Sequence, residues 1–155
     1  MTNTGIFMEA AMRTNFEQLQ VYQIAEQLAD DIWQITAGWE RFARQTVGQQ
    51  LVRSSDSIGA NIAEGTGRGS LKDRRRFVLM ARGSLYETRH WLRRAYKRKL
   101  LSAEQIERLK SLIDNLSRLL NGYLRSMNYL QSPGQPGTGA PLHDSSHNQA
   151  LRSRN

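Results

Sequence analysis

Four segments of the chain carry apolar residues at alternating steps of three and four, the spacing that lines one face of an α-helix. No stretch alternates polar and apolar residues, so no sheet is predicted. Proline is absent between Asn15 and Leu130, which leaves long helices uninterrupted. The four stripes are Val21, Ala25, Leu28, Ile32, Ile35 and Trp39; Val47, Leu51, Ser54, Ile58 and Ile62; Val78, Ala81, Leu85, Thr88, Leu92 and Ala95; and Ile106, Leu109, Ile113, Leu116, Leu120, Tyr123, Met127 and Leu130.

Short connections between the four segments predict an all-α, antiparallel, up-down four-helix bundle spanning residues 15–130. Residues 1–14 are expected to be a flexible segment. Residues 131–155 contain all three prolines and almost no large apolar side chain, which predicts a disordered tail. The predicted N-caps are Asn15, Ser70 (with Asp73) and Ser102 (with Gln105), and the predicted helix ends are Gly38 and Gly65.

Several apolar residues lie beside the main stripes, which widens the apolar faces of two helices. They are Tyr22 and Trp33 in the first helix and Leu112, Leu119 and Leu124 in the fourth. A helix that is apolar on two sides must be covered on two sides. Self-association would provide that cover, and a wide-faced bundle core is the alternative.

The composition narrows the classes of partner and of chemistry. The net charge of +8 and the pI of about 10.4 favour an acidic partner, with nucleic acid ahead of an anionic membrane surface. The absence of cysteine excludes disulfides, thiolate metal sites and cysteine nucleophiles. It suits a reducing cytoplasm, where we expect the protein. No apolar run reaches the roughly 20 residues of a membrane span, and no signal peptide is evident.

Positive charge is concentrated in the third helix. Between Gly67 and Lys99 there are twelve basic residues against two acids, whereas the first helix carries only acids. Five of these cations fall on one stripe roughly opposite the apolar one, namely Arg75, Arg82, Arg89, Arg93 and Lys97. Nucleic acid, ion pairs with the acidic first helix of the same or a neighbouring subunit, and solubility alone are the three explanations. We name the candidate nucleic-acid-binding residues the basic surface: Arg75, Arg82, Arg89, Arg93, Arg94, Lys97 and Arg98.

The glycine-rich stretch GTGRGS, which follows the second segment, is expected to be a hinge. A phosphate-binding loop of the P-loop or dinucleotide type needs a preceding strand, and here a helix precedes. Gly65, Gly67 and Gly69 are expected to allow positive φ angles where the chain reverses.

Polar residues near this corner give two interpretations. Glu64 and Glu87 could act as paired carboxylates in catalysis or metal binding, or could belong to a structural network with Asn61, Arg68 and Ser84. The network is favoured, because only one Glu-x-x-His occurs and no Ser/His/Asp grouping is evident. No catalytic residue, metal site or cofactor is therefore predicted.

The segments NIAEGTGR and ARGSLYE, together with FEQLQVYQIAEQLADDIW and QQLVRSSDSIGANIAEG, resemble the four-helix-bundle family of 23S ribosomal-RNA intervening-sequence proteins. The resemblance covers about Phe16 to Met127. The connector GWERFARQTVGQQL departs from it, because the family's usual connector is acidic and contains proline. The matching motif residues, taken as structural corner residues, are Asn61, Glu64, Gly65, Arg68, Gly83, Ser84 and Glu87.

The resemblance implies a homopentamer of bacterial four-helix bundles without known enzymatic activity. A related branch, the accessory proteins of diversity-generating retroelements, implies binding to nucleic acid and to a reverse transcriptase. The leading hypothesis is therefore a non-catalytic homo-oligomer that binds nucleic acid, with RNA or a ribonucleoprotein preferred, through the basic surface. The alternatives are a scaffold that docks an acidic protein, and an enzyme that uses Glu64 and Glu87.

Overall fold

The computed structural model describes residues 15–131, and these form four long helices. Helix α1 spans Gln20–Ala37, α2 spans Gln49–Thr66, α3 spans Leu71–Lys97 and α4 spans Ala103–Gln131. The all-α prediction is confirmed. Residues 1–14 and all but the first residue of the predicted tail lie outside the described part. Within that part, no helix is both long and apolar enough to cross a membrane.

The helices pack in a ring, each against two neighbours. Helix α1 contacts α2 and α4, and α3 contacts α2 and α4, whereas the diagonal pairs make no close backbone contact within residues 15–131. Helices α2 and α3 run antiparallel. Ser54 of α2 lies beside Thr88 of α3, whereas Gly65, which is later in α2, lies beside Phe77, which is earlier in α3. This arrangement is the predicted up-down bundle.

The predicted stripes form the core, and their burial explains the four-helix arrangement. Burying large aliphatic side chains is the main favourable contribution to folding. One polar layer interrupts the core, where the Thr88 hydroxyl lies 3.1 Å from the Ser54 hydroxyl and both side chains are fully buried. The largest completely buried apolar side chains are Leu28, Ile32, Leu51, Ile58, Ile62, Val78, Leu85, Leu116, Leu120 and Met127.

The residues beside the stripes separate into two groups. Leu124 is buried, and Leu112, Leu119 and Tyr22 pack partly buried against the core. These four support the wide-faced core. Trp33 differs, because 63% of its surface remains exposed.

The start of α1 differs from the prediction, because Asn15 does not cap it. Asn15–Gln18 form a 3₁₀ turn, and Leu19 occupies the N-cap position without a side-chain hydrogen bond. Gly38 ends α1 as predicted, so Trp39 of the predicted stripe lies beyond the helix.

The connector after α1 is helical rather than a loop. Glu40 caps it by accepting hydrogen bonds from the Phe42 and Ala43 amides at 2.9 and 2.6 Å. One α-helical turn, Arg41–Ala43, then leads through a π-helical turn, Arg44–Gly48, into α2. Helical backbone therefore begins at Arg41, before the apolar stripe that starts at Val47, although α2 itself begins at Gln49.

The predicted N-cap at Ser70 is present, and the predicted capping box at Ser102 has both of its bonds. The Asp73 amide donates to Ser70 Oγ at 3.0 Å. At the start of α4, the Gln105 amide donates to Ser102 Oγ at 3.2 Å and the Ser102 amide donates to Gln105 Oε1 at 3.0 Å. These bonds satisfy amides that have no partner inside the helix.

Candidate nucleic-acid interface

The first half of the basic surface lies along the edge that α3 shares with α4. Arg75 and Arg82 are half-buried, and Arg75 Nε donates to Asn128 Oδ1 on α4 at 2.7 Å. Arg89, the first residue of the second half, is exposed and lines a hollow between α3 and α4 together with Asp114. The basic stripe of α3 therefore borders the apolar stripe of the same helix, and the expectation that the two stripes lie opposite each other is wrong.

The second half of the basic surface is fully open to solvent. Arg89, Arg93, Arg94, Lys97 and Arg98 are all exposed. They follow one another within about 14 Å along the helix, given a rise of 1.5 Å per residue. Arg94 and Lys97 lie in the last turn of α3, where the helix dipole favours positive charge.

Lys99 adds a further cation at the point where α3 ends. It adopts a left-handed conformation with a φ of 58°. Its amide donates to Tyr96 O and the next amide, of Leu100, donates to Ala95 O, both at 3.0 Å. This bonding satisfies the last carbonyl groups of the helix. The sequence reasoning did not single out Lys99 as part of the interface.

Nearly all these cations lack an acidic partner within the described chain. Of the twelve basic residues between Gly67 and Lys99, Arg68 alone forms an ion pair among residues 15–131, with Glu64. The acids of α1 cannot reach α3 in the same chain, because the two helices lie diagonally across the bundle. Asp31 of α1 instead pairs with Arg108 of α4, with Arg108 Nη2 2.9 Å from Asp31 Oδ1.

Acidic residues collect in the groove between α1 and α2, away from α3. Glu26, Asp30 and Asp56 line a hollow of about 230 Å³ beside Tyr22. Partial burial, and then the charge of Asp30, raise the pKa of Asp56. Partial burial, and then the charge of Glu26, raise the pKa of the Tyr22 hydroxyl. The bundle therefore has an acidic groove on one side and a basic helix on the other.

The glycine-rich corner is held by close contact rather than by unusual backbone angles. No glycine within residues 15–131 has a positive φ, so that expectation is wrong. Gly65 lies inside α2 and permits close approach, since a Cβ there would meet Phe77 Cβ at 2.9 Å. Arg68 pairs with Glu64 and lies over the Phe77 ring, 4.7 Å from its centre.

The remaining motif residues lie away from this corner. Gly83 and Ser84 are in the middle of α3, and Asn61 donates to Ser57 O within its own helix at 2.7 Å. Glu87 pairs with Arg53 at 2.8 Å. The expected network of all five polar residues is therefore not formed.

The two carboxylates of the enzyme hypothesis are not brought together. Arg53, the partner of Glu87, lies three turns before Glu64 on α2. The two carboxylates are thus roughly 16 Å apart along the bundle. Among the described residues, no group of three or more His, Cys, Asp or Glu side chains is arranged to hold a metal ion.

The fold and this surface define a small four-helix-bundle protein with one strongly basic helix. A family model for 23S rRNA-intervening sequence proteins matches residues 17–122, and the chain belongs to that family. The match includes the part of the basic surface that is exposed.

A solved structure supports the fold. It is the crystal structure of a protein of unknown function from the S23 ribosomal protein family of Bacteroides thetaiotaomicron VPI-5482. It has a TM-score of 0.61 and 24% sequence identity, and the match covers 68% of this chain and 98% of that one. No curated protein matches the chain.

Proposed function

We propose that this protein binds nucleic acid, with RNA preferred, through the exposed half of the basic surface, and that it acts by binding rather than by catalysis. The observation that carries the proposal is the absence of acidic partners for the cations of α3 within the described chain. Like charges one turn apart on a helix repel each other. A phosphate backbone removes that repulsion and gains free energy from the release of its counterions.

The family supports this proposal only in part. The family is named for 23S rRNA-intervening sequences, and that name does not say what its members bind. The cations themselves make the argument for this chain, because they are exposed and lie close together at the C-terminal end of α3. The RNA component of a ribonucleoprotein would present the same phosphates.

Salt-dependent RNA binding tests the proposal. The six cations from Arg89 to Lys99 can contact about six phosphates of a single strand. The logarithm of the binding constant should then fall as the logarithm of the salt concentration rises, with a slope of about −4. Fluorescence anisotropy with a labelled RNA measures this slope.

Charge reversal on α3 identifies the surface. We expect Arg93→Glu/Lys97→Glu to weaken binding and to make the slope shallower by about 1.4. Arg118→Glu/Arg125→Glu changes the net charge equally on an exposed face of α4 and is the matched control. Equal affinities of the two double variants would exclude α3 as the binding surface. Copurification with an acidic protein and no nucleic acid would support the scaffold alternative.

Self-association forms a second part of the proposal. Met80 and Leu130 leave apolar surface exposed, at 46% and 72%, and a second copy could cover it without occupying the exposed half of the basic surface. Multi-angle light scattering tests this part. The pentamer implied by the family resemblance predicts about five times the chain mass of 17.7 kDa, and a monomer at all concentrations would contradict it.

A further inference from the structure

A second surface feature lies outside α3, where α1 ends and α2 begins. It is an open hollow of about 570 Å³, within the size range of small-molecule sites. Trp33, Thr36 and Ala37 line it from α1, Gly48 lines it from the π-helical turn and Val52 lines it from α2. The lining is mainly apolar.

Trp33 leaves a large aromatic surface available in this hollow. Its neighbour Ile32 is buried in the core, whereas Trp33 is 63% exposed. Nothing within residues 15–131 covers it. An exposed aromatic ring in a concave, mostly apolar site is suited to stacking against a flat ligand.

The π-helical turn Arg44–Gly48 forms the far wall of the hollow. Turns of this kind are rare and occur frequently at functional sites. Gly48, the last residue of the turn, is buried and lets the turn pack closely on α1, since a Cβ there would lie 3.4 Å from Thr36 Cβ.

Two guanidinium groups lie at the rim of the hollow. Arg44 supplies its positive charge, because it has no acidic partner among residues 15–131, whereas the charge of Arg53 is balanced by Glu87. Arg44 Nη1 donates to Ala37 O at 3.4 Å, and Arg53 Nη2 donates to Gln50 Oε1 at 3.1 Å and to Glu87 Oε1 at 2.8 Å. Each guanidinium carries five N–H donors, and these contacts use only some of them. An anion bound at the rim therefore finds free donors.

The charge of the groove between α1 and α2 changes along its length. The Trp33 end has Arg44 and Arg53, whereas the other end has the acids Asp30 and Asp56. A polyanion is attracted to the first end and repelled from the second. Helix α3 packs against the π-helical turn, so the positive rim adjoins the C-terminal, basic part of α3.

We propose that this hollow binds an unpaired nucleotide of a single-stranded RNA whose backbone continues onto the basic surface. The base stacks on Trp33, and the neighbouring phosphates accept hydrogen bonds from Arg44 and Arg53. Stacking on an aromatic ring beside cations is a common way of holding single strands without sequence preference. The inference rests on the proposed RNA binding by α3.

A comparison of single-stranded and duplex RNA of equal length tests the hollow. A paired base cannot stack on Trp33, whereas phosphates of both RNAs can reach α3. We expect Trp33→Ala to weaken single-strand binding about tenfold and to leave duplex binding unchanged. Trp33→Phe should keep most of the single-strand affinity. It should also remove most of the quenching of tryptophan emission that RNA causes in the unaltered protein.

Phe42→Ala is the matched control, because Phe42 is an exposed aromatic residue that does not line the hollow. Its affinity for both RNAs should stay unchanged. Single-strand binding that is insensitive to Trp33→Ala would overturn the inference while leaving RNA binding by α3 in place. A change of oligomeric mass in Trp33→Ala would assign the ring to a contact between copies instead. Absence of binding to either RNA would mean that the proposed function itself fails.

Discussion

Gly65 and Phe77 meet so closely that no side chain can be placed between α2 and α3 at this point. A Cβ on Gly65 would lie 2.9 Å from Phe77 Cβ and 3.3 Å from Arg74 O. Both neighbours belong to, or adjoin, the α3 backbone, so neither can rotate away. The glycine therefore determines the distance between the two helices.

Gly65→Ala should destabilise the protein for this reason. Overpacking of a tight contact costs typically about 1–3 kcal/mol. Chemical denaturation measures the loss of unfolding free energy. Gly83→Ala is the control, because nothing lies within 4 Å of its added Cβ. Alanine is favoured over glycine inside a helix by about 1 kcal/mol, so the control should be neutral or more stable. Equal effects of both variants would contradict the close contact.

The buried pair Ser54 and Thr88 should show coupling. The Thr88 hydroxyl lies 3.1 Å from Ser54 Oγ and 2.9 Å from Ser84 O. Thr88→Val keeps the shape and removes these hydrogen bonds, at a cost of about 1 kcal/mol. Removing both hydroxyls should cost less than the sum of the single changes, because the contact between them is already lost in either single variant. A double-mutant cycle with Ser54→Ala, followed by urea denaturation, measures the coupling. Strict additivity would argue against the contact.

The ion pair between Asp31 and Arg108 should matter more than the pair between Arg53 and Glu87. The side chain of Asp31 is only 15% exposed, so loss of Arg108 leaves a largely buried carboxylate without its partner. Glu87 and Arg53 are 42% and 66% exposed, and such surface pairs contribute about 0–1 kcal/mol. Thermal melting should therefore show a larger loss for Arg108→Gln than for Glu87→Gln. The reverse order would contradict the packing of α1 on α4.

Asp56 should make stability depend on acid pH. Its pKa is raised in the folded state by partial burial and by Asp30. The folded state then binds the proton more tightly than the unfolded state. Stability should therefore fall as pH rises from the ordinary carboxyl pKa through the raised one. We expect Asp56→Asn to raise the melting temperature at pH 7 and to have little effect at pH 3, where the carboxyl is protonated in both states.

Glu107→Gln is the control for this pH dependence, because Glu107 is an exposed carboxylate on α4, away from the acidic groove. Its melting temperature should match that of the unaltered protein at both pH values. An equal gain in both variants would point to net charge rather than to the environment of Asp56.

The sequence by itself determined the helices and much of their ends. Steps of three and four place Leu28 and Leu116 on the buried faces because a helix repeats about every 3.6 residues. The caps at Ser70 and Ser102 were also predictable, since they bond to residues three positions away. The excess of cations in α3 needed only the order of the residues.

The tertiary structure alone decided which residues from different helices meet. Gly65 permits close approach to Phe77 rather than a turn, Asp31 reaches α4 rather than α3, and Trp33 stays in an open hollow. The periodicity of one helix shows which face it buries, but not which helix covers that face or at what register. Those choices come from packing the four faces together, and they determine which cations of α3 are left without acidic partners.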